Sequence, residues 1–396
     1  MKKKVAIIGG GTAGLFLAAF LNSDIYDVTI YEKKSSLGRK FLVAGDGGFN
    51  LAHSEELSVL KSRYTPTSFL DTALDHFNNT DLRAWLLSLG IPTFVGSSGR
   101  IFPEKGIKPI EVLKSIEAYL IDKNVKFEFN KTFTGWDQEN ALKFNDTESI
   151  KSDYTVFALG GSSWKVTGSD GTWLSLFAEK GIDTMPFQPS NCAYKIDWNE
   201  KFIQKNEGKP LKNISISINN KTQKGEAIIT KFGIEGNAIY GLSPEIQTAL
   251  ASNSEAVVYV DFKPTFNLSA LIEKINYSKS NTTDTLRKSL KLSNTVIELI
   301  KVTLTKEEFI DIQILAQFIK RFPLKIIDAA PIDEAISTSG GIDLNAIDSN
   351  FELRKLKNNF CIGEMLDWNA PTGGYLIQAC ASTGVYLARQ LNCKYN

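Results

Sequence analysis

Metal and disulfide chemistry have little to stand on in this chain. Its 396 residues include four cysteines, Cys192, Cys361, Cys380 and Cys393, with no C-x-x-C pair, and two histidines, His53 and His76. A structural zinc needs several thiolates or imidazoles at short spacings, so no metal is expected. The scarce cysteines suit a reducing, cytoplasmic compartment. No apolar run approaches the roughly 20 residues of a membrane span. Met1-Lys-Lys-Lys4 and Val5-Ala-Ile-Ile8 imitate a secretory leader only until three glycines interrupt it, so the run reads as a core strand and no membrane association is expected. Bias of charge is missing as well. Lys and Arg number 45 against 44 Asp and Glu, which leaves no net field to attract nucleic acid. The G-x-S-x-G elbow of a serine hydrolase is absent too. What remains is globular composition, 43% hydrophobic and 22% charged, in a chain long enough for two or three domains.

The first thirty-two residues hold the strongest positive signal. An apolar strand, Val5 to Ile8, runs into Gly9-Gly10-Gly11-Thr12-Ala13-Gly14, then into a small-residue helix, and then into a second strand, Val28 to Tyr31, that ends at Glu32. Each spaced glycine has a mechanical reason: Gly9 permits the tight turn, Gly11 lets the backbone approach a pyrophosphate, and Gly14 lets the helix pack on the strand. Thr12 and Ala13 open the helix, whose free N–H groups and dipole favour phosphate. At the end of the second strand, Glu32 can accept hydrogen bonds from a ribose 2′-OH and disfavours a 2′-phosphate, with Lys33 following it. The pattern predicts a dinucleotide site.

Farther along, helical periodicity dominates from about Leu57 to Leu89, and another helix is expected from Pro109 to Asp122. Val125–Phe129, Thr132–Trp136 and Ala141–Phe144 alternate like an antiparallel meander. Tyr154 to Leu159 is wholly apolar and stops at Gly160-Gly161, as suits a central parallel strand touching a cofactor. Between Asn191 and Phe322 the texture changes to short strands, such as Ile214–Ile218, Gly225–Thr230 and Ala256–Phe262, mixed with helices. Residues 191–322 therefore read as an inserted cap or substrate domain within a nucleotide-binding domain formed by 1–190 and 323–396.

The closing segment discriminates between cofactors. Phe360-Cys-Ile-Gly363-Glu364 reads as a strand ending in glycine and acid, and Pro371-Thr-Gly373-Gly374-Tyr375 opens a last helix. A nicotinamide dehydrogenase gives its C-terminal half to other duties, whereas FAD needs a second anchor near its ribityl chain and ring. Glu364 suits a ribityl hydroxyl, and the amides of Gly373, Gly374 and Tyr375 suit the pyrimidine end of a flavin, where a helix dipole stabilises the charge of reduction. FAD is thus the expected resident cofactor, bound noncovalently. No second nucleotide fingerprint is present, so any NAD(P)H would bind transiently.

On these residues the chain resembles the bacterial YhiN/BaiN-type flavoproteins, the aminoacetone-oxidase-like FAD-binding proteins. The resemblance spans most of the chain and rests on Gly9-x-Gly11-x-x-Gly14 with Glu32, Gly38-Arg-Lys-Phe-Leu-Val-Ala-Gly45, Gly99-Arg-Ile-Phe-Pro103, Thr167-Gly-Ser-Asp-Gly171, Thr338-Ser-Gly-Gly-Ile342 and Gly363-Glu-Met-Leu-Asp-Trp-Asn-Ala-Pro-Thr-Gly-Gly-Tyr375. It implies an α/β fold: a Rossmann-like FAD-binding domain of the two-dinucleotide-binding flavoprotein type, with an inserted β-barrel-like plus helical domain. It also implies that Gly45-Asp-Gly-Gly48-Phe-Asn50 runs beside the flavin ring. Where the broader family carries Gly-Gly-Gly-Arg-Cys-Asn, this chain lacks the Arg-Cys pair, and Asn237 stands where proline is common after Gly233-Ile-Glu-Gly236. Substrates in the family range from steroid enones to amines.

The expected activity is FAD-dependent oxidoreduction, a hydride passing between flavin and a small organic substrate with NAD(P)H as a possible reductant. The alternatives are a non-catalytic flavin-binding redox protein and an FAD-dependent nucleic-acid modifying enzyme. A flavin carries the electrons itself, so the protein's share is orientation and electrostatics. Candidate proton carriers are Tyr375, Asp46 and His53, while Arg39 and Lys40 are candidates for phosphate contact.

Overall fold

The computed structural model describes residues 1–43, 49–278 and 281–394. Gly45, Asp46 and Gly48 lie outside them. The chain divides into two compact units, one formed by Met1–Gln188 with Ile336–Asn396 and the other by Pro189–Ala335.

The first unit is built on a five-stranded parallel sheet. Lys3–Ile8 lies at its centre, flanked on one side by Tyr26–Glu32 and then Lys126–Phe129, and on the other by Tyr154–Phe157 and then Asn359–Cys361. The central positions are apolar on both faces, as a parallel sheet between layers requires: Ile7, Val156, Phe157 and Phe360 are fully buried. Because the chain leaves Lys3–Ile8 toward one neighbour and later returns on the other side, strand order reverses at its carboxyl end. Clefts for ligands form at such a point.

Two helices complete the centre of this unit. Thr12–Phe20 and Tyr375–Cys393 pack closely because small residues meet there, and a Cβ on Gly384 would stand 2.6 Å from the Ala13 carbonyl oxygen. The helix Pro109–Asp122 appears with the bounds its spacing predicts and buries Val112, Leu113, Ile116 and Leu120 on one face.

The meander is displaced from its expected place. Lys126–Phe129 adds in parallel to the edge of the main sheet, after the helix that precedes it, while the antiparallel trio comprises Phe133–Trp136, Leu142–Phe144 and Glu148–Ile150. A helix leading into a strand makes a crossover, which joins parallel neighbours. Alternation alone does not distinguish this case from a hairpin.

The second unit has its own apolar core and a seven-stranded antiparallel sheet whose two end strands, Phe322–Ile326 and Asp328–Ala329, are separated by Ile327 alone. The sheet's edges are thereby brought together, and helices such as Asn294–Thr303 and Ile312–Lys320 add apolar faces to the core. Phe322–Ile326 pairs with Ala256–Asp261. The return to the first unit therefore comes at Ile336, after the residue 323 that texture suggests.

Candidate functional site

The carboxyl ends of the parallel strands open into a cavity of about 570 Å³. Its wall includes Gly9, Gly10, Gly11, Thr12 and Ala13 from the first turn, Glu32 and Lys33 from the second strand's end, Arg39 and Lys40, Gly160, Glu364, and Gly373 with Gly374. Sequence positions more than 360 residues apart thus face one space, all within the first unit.

The three spaced glycines do three different things. Gly9 has a φ of 111°, and a Cβ there would meet the Ala158 carbonyl oxygen at 2.3 Å. One on Gly14 would stand 2.2 Å from the Gly9 carbonyl oxygen. At Gly11, by contrast, the Cβ direction is empty for 4 Å. The first two glycines hold strand, turn and helix together; the third leaves room for something that is not protein. Past it begins Thr12–Phe20, with no side-chain cap and no acid in its first turn, so its leading N–H groups remain available to an anion.

Glu32 is fixed from two sides. One carboxylate oxygen accepts the Gly10 N–H at 2.9 Å and the other the Lys34 N–H at 2.8 Å. These bonds orient the carboxylate beside the turn and leave lone pairs for hydroxyl donors.

Lys33 forms an ion pair with Asp170 at 2.9 Å. Burial works to raise the Asp170 carboxyl, but the hydrogen bonds and charge of Lys33 and the bonds from Thr172 hold it below its ordinary value. Lys40 donates to Ser163 Oγ at 2.9 Å and to both oxygens of Glu364. Arg39 reaches the Val166 carbonyl at 3.5 Å. Gly161 and Gly363 serve close packing: added Cβ atoms would approach Thr338 Oγ1 to 2.1 Å and the Ala13 Cβ to 2.7 Å.

His53 and Tyr375 lie together beside this wall. Their rings stack with centroids 5.3 Å apart. His53 Nε2 is 3.0 Å from the Ser98 carbonyl, and the Tyr375 hydroxyl donates to Glu55 at 2.8 Å, while Glu55 is also gripped by both arms of Arg63. Neither residue is among the described wall residues; His53 Nε2 and the Tyr375 hydroxyl are engaged in bracing the segments that form it, while His53 Nδ1 is buried without a hydrogen bond among the described residues. Sequence reasoning missed Glu55 and Arg63. Their only signal is opposite charge eight residues apart, which is too common to single out. Cys380 does reach the wall, but burial pushes its thiol up to about 12 and so keeps it protonated.

Among the described residues no group of His, Cys, Asp and Glu could hold a metal ion, and no helix is long and apolar enough to cross a membrane.

The family described as HI0933-like protein Rossmann domain matches residues 3–390. A 3-dehydro-bile acid delta(4,6)-reductase of Clostridium scindens is 26% identical over 97% of this chain and 98% of its own length. A ribosomal RNA dihydrouridine synthase of Haemophilus influenzae is 25% identical over 94% of each chain. In fold, the chain is similar to the solved 3-ketosteroid-delta4-(5alpha)-dehydrogenase of Rhodococcus jostii RHA1, with a TM-score of 0.48 and 13% identity, over 98% of this chain and 96% of that one.

Proposed function

Since the chain belongs to the HI0933-like family, we propose that this FAD-dependent oxidoreductase reduces a carbon–carbon double bond conjugated to a carbonyl in a small organic molecule. A reduced nicotinamide that binds transiently is the proposed hydride donor. The observation that carries the reading is the two-ended cavity: an open Gly11 and uncapped helix at one end, and Gly373-Gly374 before a second helix at the other.

The residues present fit FAD. The empty space beyond Gly11 is where a pyrophosphate needs the backbone to be bare. There Gly11, Thr12 and Ala13 would hold the phosphates with Arg39 nearby, Glu32 the ribose, Glu364 with Lys40 the ribityl region, and Gly373 with Gly374 the ring. When bound, FAD supplies hydride chemistry at its ring. The protein's own part is to orient the ring, exclude water with apolar wall residues such as Phe41, Phe133 and Trp173, and balance charge.

The substrate class is supported by what two relatives share. A delta(4,6)-reductase acting on a 3-dehydro bile acid and a dihydrouridine synthase both saturate a C=C next to a carbonyl, although one substrate is a free molecule and the other a nucleotide in RNA. The balance of 45 basic against 44 acidic residues favours the free molecule, because binding to a polyanion is driven by clustered cations.

Turnover tests this directly. With NADPH or NADH under anaerobic conditions, a 4-en-3-oxo steroid and a simple cyclic enone are expected to lose their conjugated absorbance, while a uridine-containing RNA is unchanged. Saturation of the RNA alone would transfer the activity to nucleic acid. Failure with every acceptor, despite bound FAD, would leave a flavin-binding redox protein.

A further inference from the structure

Each charged side chain on the described wall of the cavity has a partner, with one exception. Lys33 is held by Asp170, Lys40 by Glu364 and Lys131 by Glu148, Arg39 reaches a carbonyl, and Glu32 accepts two amides. Arg100 also lines the cavity. Among the described residues, its guanidinium has neither a hydrogen bond nor an ion pair.

The neighbours of Arg100 have structural duties. A Cβ on Gly99 would stand 2.7 Å from the His53 ring, Ile101 is buried in the core, and Phe102 stacks on Phe94. Arg100 pairs by backbone opposite His53, so the braced cluster of His53, Tyr375, Glu55 and Arg63 fixes the strand that carries it. Its Nε would be 3.4 Å from a Cβ on Gly373. That glycine and Gly374 lead into the 19-residue helix Tyr375–Cys393, which has no side-chain cap and no acid in its first turn. A guanidinium and the positive end of a helix dipole therefore converge on one part of the cavity.

We propose that Arg100 is the countercharge for reduced flavin, acting at the N1–C2=O edge of the ring and raising its reduction potential. This rests on FAD occupying the cavity as proposed above. In the balanced step, a reduced nicotinamide gives up a hydride, two electrons with one proton, and leaves as the nicotinamide cation, while the ring takes one net negative charge. The reacting ends of an enone or a uracil are neutral before and after reduction. The lasting charge at this end of the cavity is therefore the ring's, and an unpaired arginine in a partly desolvated site favours the form that carries it.

The test compares Arg100→Met and Arg100→Lys in the full-length protein by two readouts: affinity for oxidised FAD, and the flavin potential from dye equilibration with dithionite as reductant. In Arg100→Met, oxidised FAD is expected to bind within about threefold of the parent, while the preference for reduced over oxidised flavin falls about tenfold or more, about 30 mV for a two-electron couple. Arg100→Lys should retain most of the parent potential. An unchanged potential in FAD-loaded Arg100→Met overturns the proposal, and a raised KM for the enone with that unchanged potential makes Arg100 a substrate contact instead. If Arg100→Met does not fold, Arg100→Gln takes its place: a lowered potential supports the proposal and an unchanged one overturns it. A parent protein that binds no FAD overturns the cavity reading, and this proposal with it.

Discussion

Lys40 Nζ donates to both carboxylate oxygens of Glu364, at 3.1 and 2.8 Å, across 324 residues of chain. The Glu364 side chain is 12% exposed and that of Lys40 30%, so the pair is shielded enough for the loss of one member to matter. Lys40→Met should destabilise the protein by about 1–2 kcal/mol, and Lys40→Met with Glu364→Gln by less than the sum of the two single changes. A double-mutant cycle by urea unfolding reads the coupling; additive effects would mean that the contact contributes nothing.

The glycines of the first turn should separate binding from folding. Gly11→Val pushes atoms into open cavity, so the protein is expected to fold with a Tm close to that of the FAD-free parent while losing FAD. Gly14→Ala places a methyl 2.2 Å from the Gly9 carbonyl oxygen, an overpacking that costs about 1–3 kcal/mol. Flavin content and thermal melts of the two variants check this. Equal Tm losses would refute the division of roles.

Removing the Glu32 carboxylate frees the Gly10 and Lys34 amides that it now holds and deletes an acceptor for hydroxyl groups. Glu32→Ala is expected to weaken FAD binding by about tenfold to a hundredfold, corresponding to roughly 1.4–2.8 kcal/mol. Glu32→Gln, which retains an acceptor oxygen, should lose less. Titration of the FAD-free protein with FAD gives both constants.

Acid should act through Glu55. Burial works to raise its carboxyl, but the hydrogen bonds from Arg63 and Tyr375 and the Arg63 charge outweigh that and hold it below its ordinary 4.5. A carboxyl lowered in the folded state adds stability that is fully present above its unfolded value and is lost as pH falls through the folded one. Glu55→Gln should therefore flatten the decline in urea midpoint below about pH 5. At the other extreme, burial and then the bond to Glu55 raise the Tyr375 phenol, so its share is present below pH 10 and lost as pH climbs beyond that. Tyr375→Phe should reduce the alkaline loss; an unaltered profile in both variants would exclude the cluster from the pH response.

The nucleotide end is legible in the sequence because its physics is local. Gly9, Gly11, Gly14 and Glu32 lie within one strand–helix–strand unit, where spacing in sequence fixes spacing in space. Gly373 and Gly374 are readable as a helix start for the same reason. The pairing of Lys40 with Glu364, and the grip of Glu55 on Tyr375, arise from tertiary contacts between segments more than 300 residues apart, which no local pattern encodes. Arg100 belongs to the motif Gly99-Arg-Ile-Phe-Pro103, yet only the structure shows that its neighbours are structural and that its head group has no partner among the described residues. Lys126–Phe129 pairs differently from the expected meander because alternation reports a half-buried strand and says nothing about its partner.

Enone reduction by a nicotinamide-reduced flavin can be followed in an anaerobic single turnover: the purified protein's visible flavin band is bleached with NADPH, then an enone is added and both the band and the product are monitored. The expected course is a flavin band without added cofactor or after reconstitution with FAD, bleaching by the nicotinamide, and recovery of the band with one saturated product formed per flavin. A reduced flavin that ignores the enone and is reoxidised only by oxygen would contradict the proposed function.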